Sequence, residues 1–504
     1  MTNRKKFFFN GAILSAVGLS MRTVGLIFGA FVTRAIGAEG MGLYTLVMTV
    51  YSFALTLATS GIGLTVTRLV AAAIGDGRKS EVGRILRGAV LYALLFSLLS
   101  SLALSAGAGF LAKRIIHDGR SVRALRLLSL SLVPVALGAV FSGYFVGIKR
   151  VGVNSAVQVL SQLAKIAITV ILVTKTAGLG TEKSVFALAL GIVFAELISF
   201  LLMLLQFCVN RGRTKSGGMA AICEVSRTAL PLAFSAYIRS GLITLEHTLI
   251  PKRLRDGGKN TAESLASYGA LHGMALPLVL YPMSPLSSFS GMLVPEFAEG
   301  QGRVARLGRI TGEVLNNTLA YAVAISILLY SFSEELGYVI YHSYDAGIYI
   351  ALIAPIVPIM YLDHVTDSML KGIGEQVYSM WVNITDSLIS VVLVWFLIPR
   401  LGISGYALVI IIMEAYNFAL SFFKLRRKIS FSVNPYYALV NPAVCATLAT
   451  LISERLFLFK GTAATPIWLT LKIIFCVSAF FFFFLTSRLI WSVLREKRRE
   501  IPKM

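Results

Sequence analysis

Apolar runs long enough to cross a bilayer follow one another along almost the whole chain. The first covers residues 7–32 and the second 43–74, each longer than the roughly 20 residues a spanning helix needs. Further runs cover 88–111, 127–148, 153–173 and 185–208. After a polar break, NRGRTKSGG at 210–218, they resume at 229–250, 265–294, 314–332 and 347–370. The last four are 377–398, 405–423, 436–459 and 467–491. This pattern predicts an all-α integral membrane protein with about fourteen transmembrane helices. Prolines interrupt the runs at 265–294 and 347–370, the first at Pro277, Pro282 and Pro285. The run at 7–32 is too long for the apolar part of a cleaved signal, carries Arg22 and lacks a small-x-small cleavage site.

Composition excludes a soluble fold. The 504 residues are 56% hydrophobic and 14% charged, with mean hydropathy +0.78. A soluble domain is about 45–50% apolar and about 25% charged, and no polar segment here is long enough to fold as one. The formal charge of +23 does not point to nucleic acid, because the basic residues lie in short loops between apolar runs. Loops at 78–87, 149–150, 211–215, 303–309 and 424–428, with the termini, carry roughly 25 Lys and Arg against about 15 on the other side. An even number of spans then places both termini in the cytoplasm. The basic loop at 113–126 runs against that bias. Cys208, Cys223, Cys445 and Cys476 are scattered without a CxxC and read as small apolar residues. HExxH, GxSxG, Walker and dinucleotide motifs are absent, so the chain is expected to be a transporter and not an enzyme.

The two halves resemble one another. VPVALGAVFSGYFVGI at 133–148 aligns with VPIMYLDHVTDSMLKGI at 357–373, and SGIGLTVTRLVAAAIGDGR at 60–78 aligns more weakly with SGMLVPEFAEGQGR at 290–303. A parallel repeat of about 225 to 230 residues places a substrate site where two lobes meet. The expected division is an N-terminal six-helix lobe at 1–209, a cytoplasmic linker at 210–222 and a second six-helix lobe at 223–428. Residues 429–504 add two helices and a basic cytoplasmic tail.

Arg22 carries the chemistry of the first run. An arginine at the centre of a membrane helix costs about 2.5–3.5 kcal/mol on insertion scales. Its run holds no carboxylate, so the low-energy solution is to face a wet, protein-lined space that admits an anion. Arg34 and Arg68 lie near span ends, where interfacial anchoring competes with that role. Lys165 has the polar helix neighbours Gln158, Ser161 and Gln162. Arg239 opens the second half, and an internal ion pair with Glu246, two turns further on, competes with ligand contact. Glu246 and His247, beside PKRLR at 251–255, are candidates for a gate that pairs with basic residues of the other lobe. His272 and Glu296 flank the proline-rich helix, and Glu296 joins them as a gate or ion-pair candidate. Asp363 and Asp367 share a helical face, and with Asp386 they are candidates for a coupling proton or sodium ion.

GAEGMGLY at 37–44, LEHTLIPKRL at 245–254 and MALPLVLYPMSPLSSFSGMLVPEFAE at 274–299 resemble the stage V sporulation protein B group. These are polysaccharide-biosynthesis transporters of the multidrug/oligosaccharidyl-lipid/polysaccharide exporter superfamily. The resemblance implies a V-shaped, MATE-like bundle of two six-helix lobes plus two helices, alternating access, and movement of an undecaprenyl-diphosphate-linked oligosaccharide or lipid II-like peptidoglycan precursor. It also implies that Arg22, Arg239 and Arg68 meet the substrate. Arginine suits a diphosphate because its planar fork donates two parallel hydrogen bonds and stays charged. The expected setting is the bacterial cytoplasmic membrane, in a monomer surrounded by membrane lipids, with cell-wall synthesis enzymes as partners. No cofactor is expected beyond a coupling ion or the membrane potential. The alternative is a multidrug or small-cation exporter of the same fold. That role favours acids in the cavity, whereas the first lobe holds almost none apart from Glu196.

Overall fold

The structure is a computed structural model that describes residues 3–176, 178–210, 221–300, 304–457 and 465–500. Among the described residues there are helices and no strands. In chain order they are α1 (Asn3–Thr59), α2 (Ile62–Gly75), α3 (Val82–Phe110), α4 (Val122–Ser129), α5 (Leu132–Gly147) and α6 (Val151–Thr176). Next come α7 (Thr181–Asn210), α8 (Ile222–Asp256), α9 (Thr261–Tyr268), α10 (Leu276–Leu280), α11 (Ser284–Glu299) and α12 (Val304–Ser331). The chain closes with α13 (Ser333–Tyr341), α14 (Tyr344–Ile353), α15 (Val357–Gly372), α16 (Gln376–Lys428), α17 (Asn441–Leu456) and α18 (Pro466–Glu500). Nine helices among the described residues are long and apolar enough to span a membrane, or eleven if each of two bent pairs is one span.

Two expected interruptions fall inside long helices: α1 loses helical geometry at Gly37 (φ 72°), between the runs 7–32 and 43–74, and α16 at Gly402 (φ 63°), between 377–398 and 405–423. Both dihedrals are open to glycine and strained for a residue with a Cβ. The run at 43–74, expected to be one helix, is cut at Ser60 and Gly61, whose φ values are 46° and 70°. α4 and α5, expected as one span, bend by 43° at their junction. The proline-rich stretch stays helical by changing pitch, through a π turn at Gly269–Ala275 and a 3₁₀ turn at Tyr281–Met283. Most of the expected linker at 210–222 lies outside the described residues, as does Arg303.

The chain forms two compact units. One takes the residues up to Ala30, Ala270–Asp386 and everything from Ile403 on; the other takes Phe31–Gly269 and Ser387–Gly402. Lipid tails are as apolar as leucine, so helices in a membrane associate by close packing of small residues. The second unit is built that way. A Cβ on Gly42, within the GAEGMGLY stretch, would lie 2.0 Å from the Leu265 carbonyl oxygen, so α1 and α9 meet backbone to backbone. Gly143 of α5 lets its helix approach α2 in the same way, since a Cβ there would lie 2.5 Å from the Gly63 carbonyl oxygen. In the first unit, Leu293, Phe297, Val365, Met369 and Leu370 form a buried core, and Gly372 gives α15 room beside Phe297.

Candidate functional site

In the first unit, Arg22 stands on α1 with its side chain partly exposed and no carboxylate within ion-pair distance among the described residues. Its Nη1 donates to Ser284 Oγ at 2.9 Å. Ser284 Oγ donates in turn to the Tyr281 carbonyl at 2.7 Å, and the Tyr281 hydroxyl meets Thr23 Oγ1 at 2.7 Å. The 3₁₀ turn Tyr281–Met283, with Pro282 inside it and Pro285 just after it, presents these groups, because proline frees carbonyls that an unbroken helix would occupy. The guanidinium is therefore held by a neutral hydroxyl, with no described carboxylate paired to it. His364 on α15 lies within its electrostatic reach.

Lower on α15 an acidic cluster gathers. Asp363 and Asp367 share a face, as expected from their spacing, and Asp386 and Glu414 of α16 lie within electrostatic reach of Asp363. Asp367 receives Lys371 Nζ at 2.5 Å and also bonds the Ser379 hydroxyl. Asp363 bonds Ser421 through one oxygen, while its Oδ1 is buried without a hydrogen-bond partner. Glu414 was not among the candidates. The signal for it is present in ALVIIIMEAYNF at 407–418, a single acid inside an apolar run. No group of three or more His, Cys, Asp and Glu among the described residues has metal-holding geometry.

In the second unit, Arg239 is exposed on α8 and does not pair with Glu246. Glu246 Oε1 instead accepts from Ser390 Oγ at 2.7 Å. His247 Nδ1 meets the Tyr268 hydroxyl at 2.8 Å, so both gate candidates of α8 have partners within their own unit. Arg34 and Arg68 are exposed on α1 and α2. Lys165 on α6 is half-buried within electrostatic reach of Glu196 on α7, which sets a local acid beside it. In the first unit, Glu296 pairs with Arg306, ten residues along, across the α11–α12 junction. His272 packs its ring against Tyr406 with centroids 5.1 Å apart.

Outside the membrane helices, Glu375 precedes α16 and receives Lys428 at 3.0 Å and Lys424 at 3.2 Å. Hydrogen bonds from Lys428 and Lys424 hold its carboxyl below the usual range. Arg120 bridges Asp118 at 2.6 Å and Glu39 at 2.8 Å.

Comparison with known proteins places this geometry. The polysaccharide biosynthesis protein family matches residues 8–301, and the MatE family matches 258–396. Stage V sporulation protein B of Bacillus subtilis (strain 168) is 25% identical over 420 residues, covering 81% of each chain. Sporulation protein YkvU of the same organism is 20% identical over 354 residues, 68% of this chain and 77% of that protein. Among solved structures, lipid II flippase MurJ in an inward closed conformation is similar at TM-score 0.72 and 12% identity, over 96% of this chain and 99% of that one. An inward-facing multidrug resistance MATE family transporter of the MOP superfamily is similar at TM-score 0.66 and 16% identity, over 82% of this chain and 98% of that one. The fold is the one these transporters share, and the chain is a multi-pass membrane protein. With more than half of its length matched by one family model, it belongs to the polysaccharide biosynthesis protein family.

Proposed function

We propose that the protein is a flippase that moves an undecaprenyl-diphosphate-linked oligosaccharide or peptidoglycan precursor across the bacterial cytoplasmic membrane by alternating access. The observation that carries this is Arg22, a cation within a membrane span, held by Ser284 and unmatched by any described carboxylate. Such a group stabilises a diphosphate through charge-assisted hydrogen bonds while the isoprenoid tail stays in lipid. Arg34, Arg68, Arg239 and Lys165 are proposed further contacts. The similarity to a lipid II flippase supports the substrate class. The carboxylates Asp363, Asp367, Asp386 and Glu414 are proposed to take a coupling proton or sodium ion. We further propose lobes at 1–209 and 223–428, fourteen spans and cytoplasmic termini. Two of those spans come from each over-long helix, Gly18–Gly75 and Gln376–Lys428.

Reconstitution tests the proposal. Liposomes carrying wild type or the Arg22→Ala, Arg239→Ala double variant receive a fluorescent undecaprenyl-diphosphate disaccharide, and an impermeant quencher reports its leaflet. Movement by wild type and loss in the folded variant support the flippase. The acidic cluster favours one second function, a small-cation exporter. Transport of a cationic dye without lipid movement establishes that function instead.

A further inference from the structure

The second unit holds an apolar cleft of about 420 Å³, far larger than the roughly 30 Å³ a water occupies. Three helices build it, each with one face at helical spacing. α1 contributes Val50, Phe53, Ala54 and Leu57; α8 contributes Gly241, Thr244, Leu245 and Thr248. The third wall is α3 and the turn after it, through Ala103, Gly107, Leu111 and Ile115. The small residues Ala54, Ala103, Gly107 and Gly241 leave the space open. Its hydroxyls are already satisfied: Ser100 donates to the Ala54 carbonyl at 2.7 Å, and Thr244 and Thr248 donate to carbonyls of their own helix at 2.8 Å. The cleft is therefore dry, and its natural filling is hydrocarbon. From Ser100 to Ile115 the α3 wall runs roughly 22 Å, the shape of a slot for one extended chain.

The turn at one end of the slot carries two basic residues beside the lining. Leu111–Ile116 forms a π turn, a wide turn frequent at functional sites. Leu111 and Ile115 of that turn line the cleft, and between them Lys113 and Arg114 are exposed and form no ion pair among the described residues. The span Val82–Ile116 has 35 residues, longer than hydrocarbon requires, so this turn lies at headgroup depth. We infer that the cleft is a binding site for an anionic phospholipid, with one acyl chain in the slot and the phosphate on Lys113 and Arg114. A resident lipid fits better than the tail of a transported one, because the head of a transported lipid must leave the membrane surface and these two cations cannot follow it. The inference is independent of the proposed transport function.

The full-length protein in nanodiscs of phosphatidylcholine with a minor fraction of phosphatidylglycerol tests this, the latter carrying a diazirine at its acyl end. Photolysis and peptide mass spectrometry are expected to place adducts on 50–57, 100–115 and 241–248. Lys113→Gln with Arg114→Gln, an exposed pair that leaves the packing untouched, is expected to cut labelling roughly tenfold. Ala103→Phe fills the slot and abolishes labelling, whereas Leu98→Phe, on the opposite, exposed face of α3, leaves it intact. Equal labelling by a phosphatidylcholine diazirine, or no change in the charge variant, overturns the inference. Displacement of the phosphatidylglycerol probe by a stoichiometric undecaprenyl-diphosphate saccharide also overturns it and assigns the cleft to the tail of the cargo.

Discussion

Lys472 of α18 donates its ammonium to Glu335 of α13 at 2.6 Å, with the lysine 1% exposed. The rings of Phe332 and Trp468 lie under the same ammonium, at 4.5 and 5.2 Å. Removing one partner of a buried pair leaves an uncompensated charge, which costs about 3–5 kcal/mol. Lys472→Met is therefore expected to lower the detergent melting temperature sharply. Lys472→Met with Glu335→Leu is expected to recover most of the loss, since an apolar pair of similar volume is often neutral. A double variant as unstable as the single one contradicts this account.

Arg22→Ala is expected to slow lipid translocation by on the order of tenfold to a hundredfold, the worth of one charge-assisted hydrogen bond. Its melting temperature should stay near wild type, because the partner left behind, Ser284, still donates to the Tyr281 carbonyl. Arg22→Lys should recover only part of the rate, since a lysine cannot offer the bidentate fork. Full recovery with lysine would show that charge alone suffices.

Neutralising the acidic cluster separates driving force from binding. Glu414→Gln or Asp363→Asn is expected to remove the dependence of transport on an imposed proton or sodium gradient, with passive lipid exchange retained. Titration with gradients of each ion in the same liposomes reads the effect, and a variant still driven by both gradients excludes the cluster from coupling.

The Glu375 junction predicts a pH window. Its carboxyl is held low by Lys428 and Lys424, so the stabilisation is fully present above the ordinary glutamate value of about 4.3. It fades as pH falls through the lower, folded-state value. Hydrogen exchange of the backbone around 373–379 and 424–429 should therefore rise only below about pH 4.3. Glu375→Gln should remove that step and raise exchange at neutral pH.

Much of the fold is legible along the chain because a bilayer imposes a one-dimensional code. A helix must hide its backbone polar groups, and about 20 apolar residues do so wherever they stand. Arg22 and Asp363 stand out by the same code, since a charge inside such a run is costly without a partner. Glu414 obeys it too, as a single acid inside the apolar stretch 407–418.

What hydropathy cannot carry is identity of partner and continuity of helix. The run 43–74 breaks at Ser60, whose hydroxyl meets that of Tyr92 at 2.8 Å and that of Tyr237, 177 residues away. The partner of Arg22 lies 262 residues on. Glu246 looks two turns from Arg239 in sequence, yet takes Ser390 instead. That the chain spans a membrane many times, and that certain charges need company there, can be read from the order of residues, because solvation depends on local composition. Tertiary structure alone decided which groups supply that company and where three ordinary apolar faces leave a slot, because both depend on packing between residues remote in the chain.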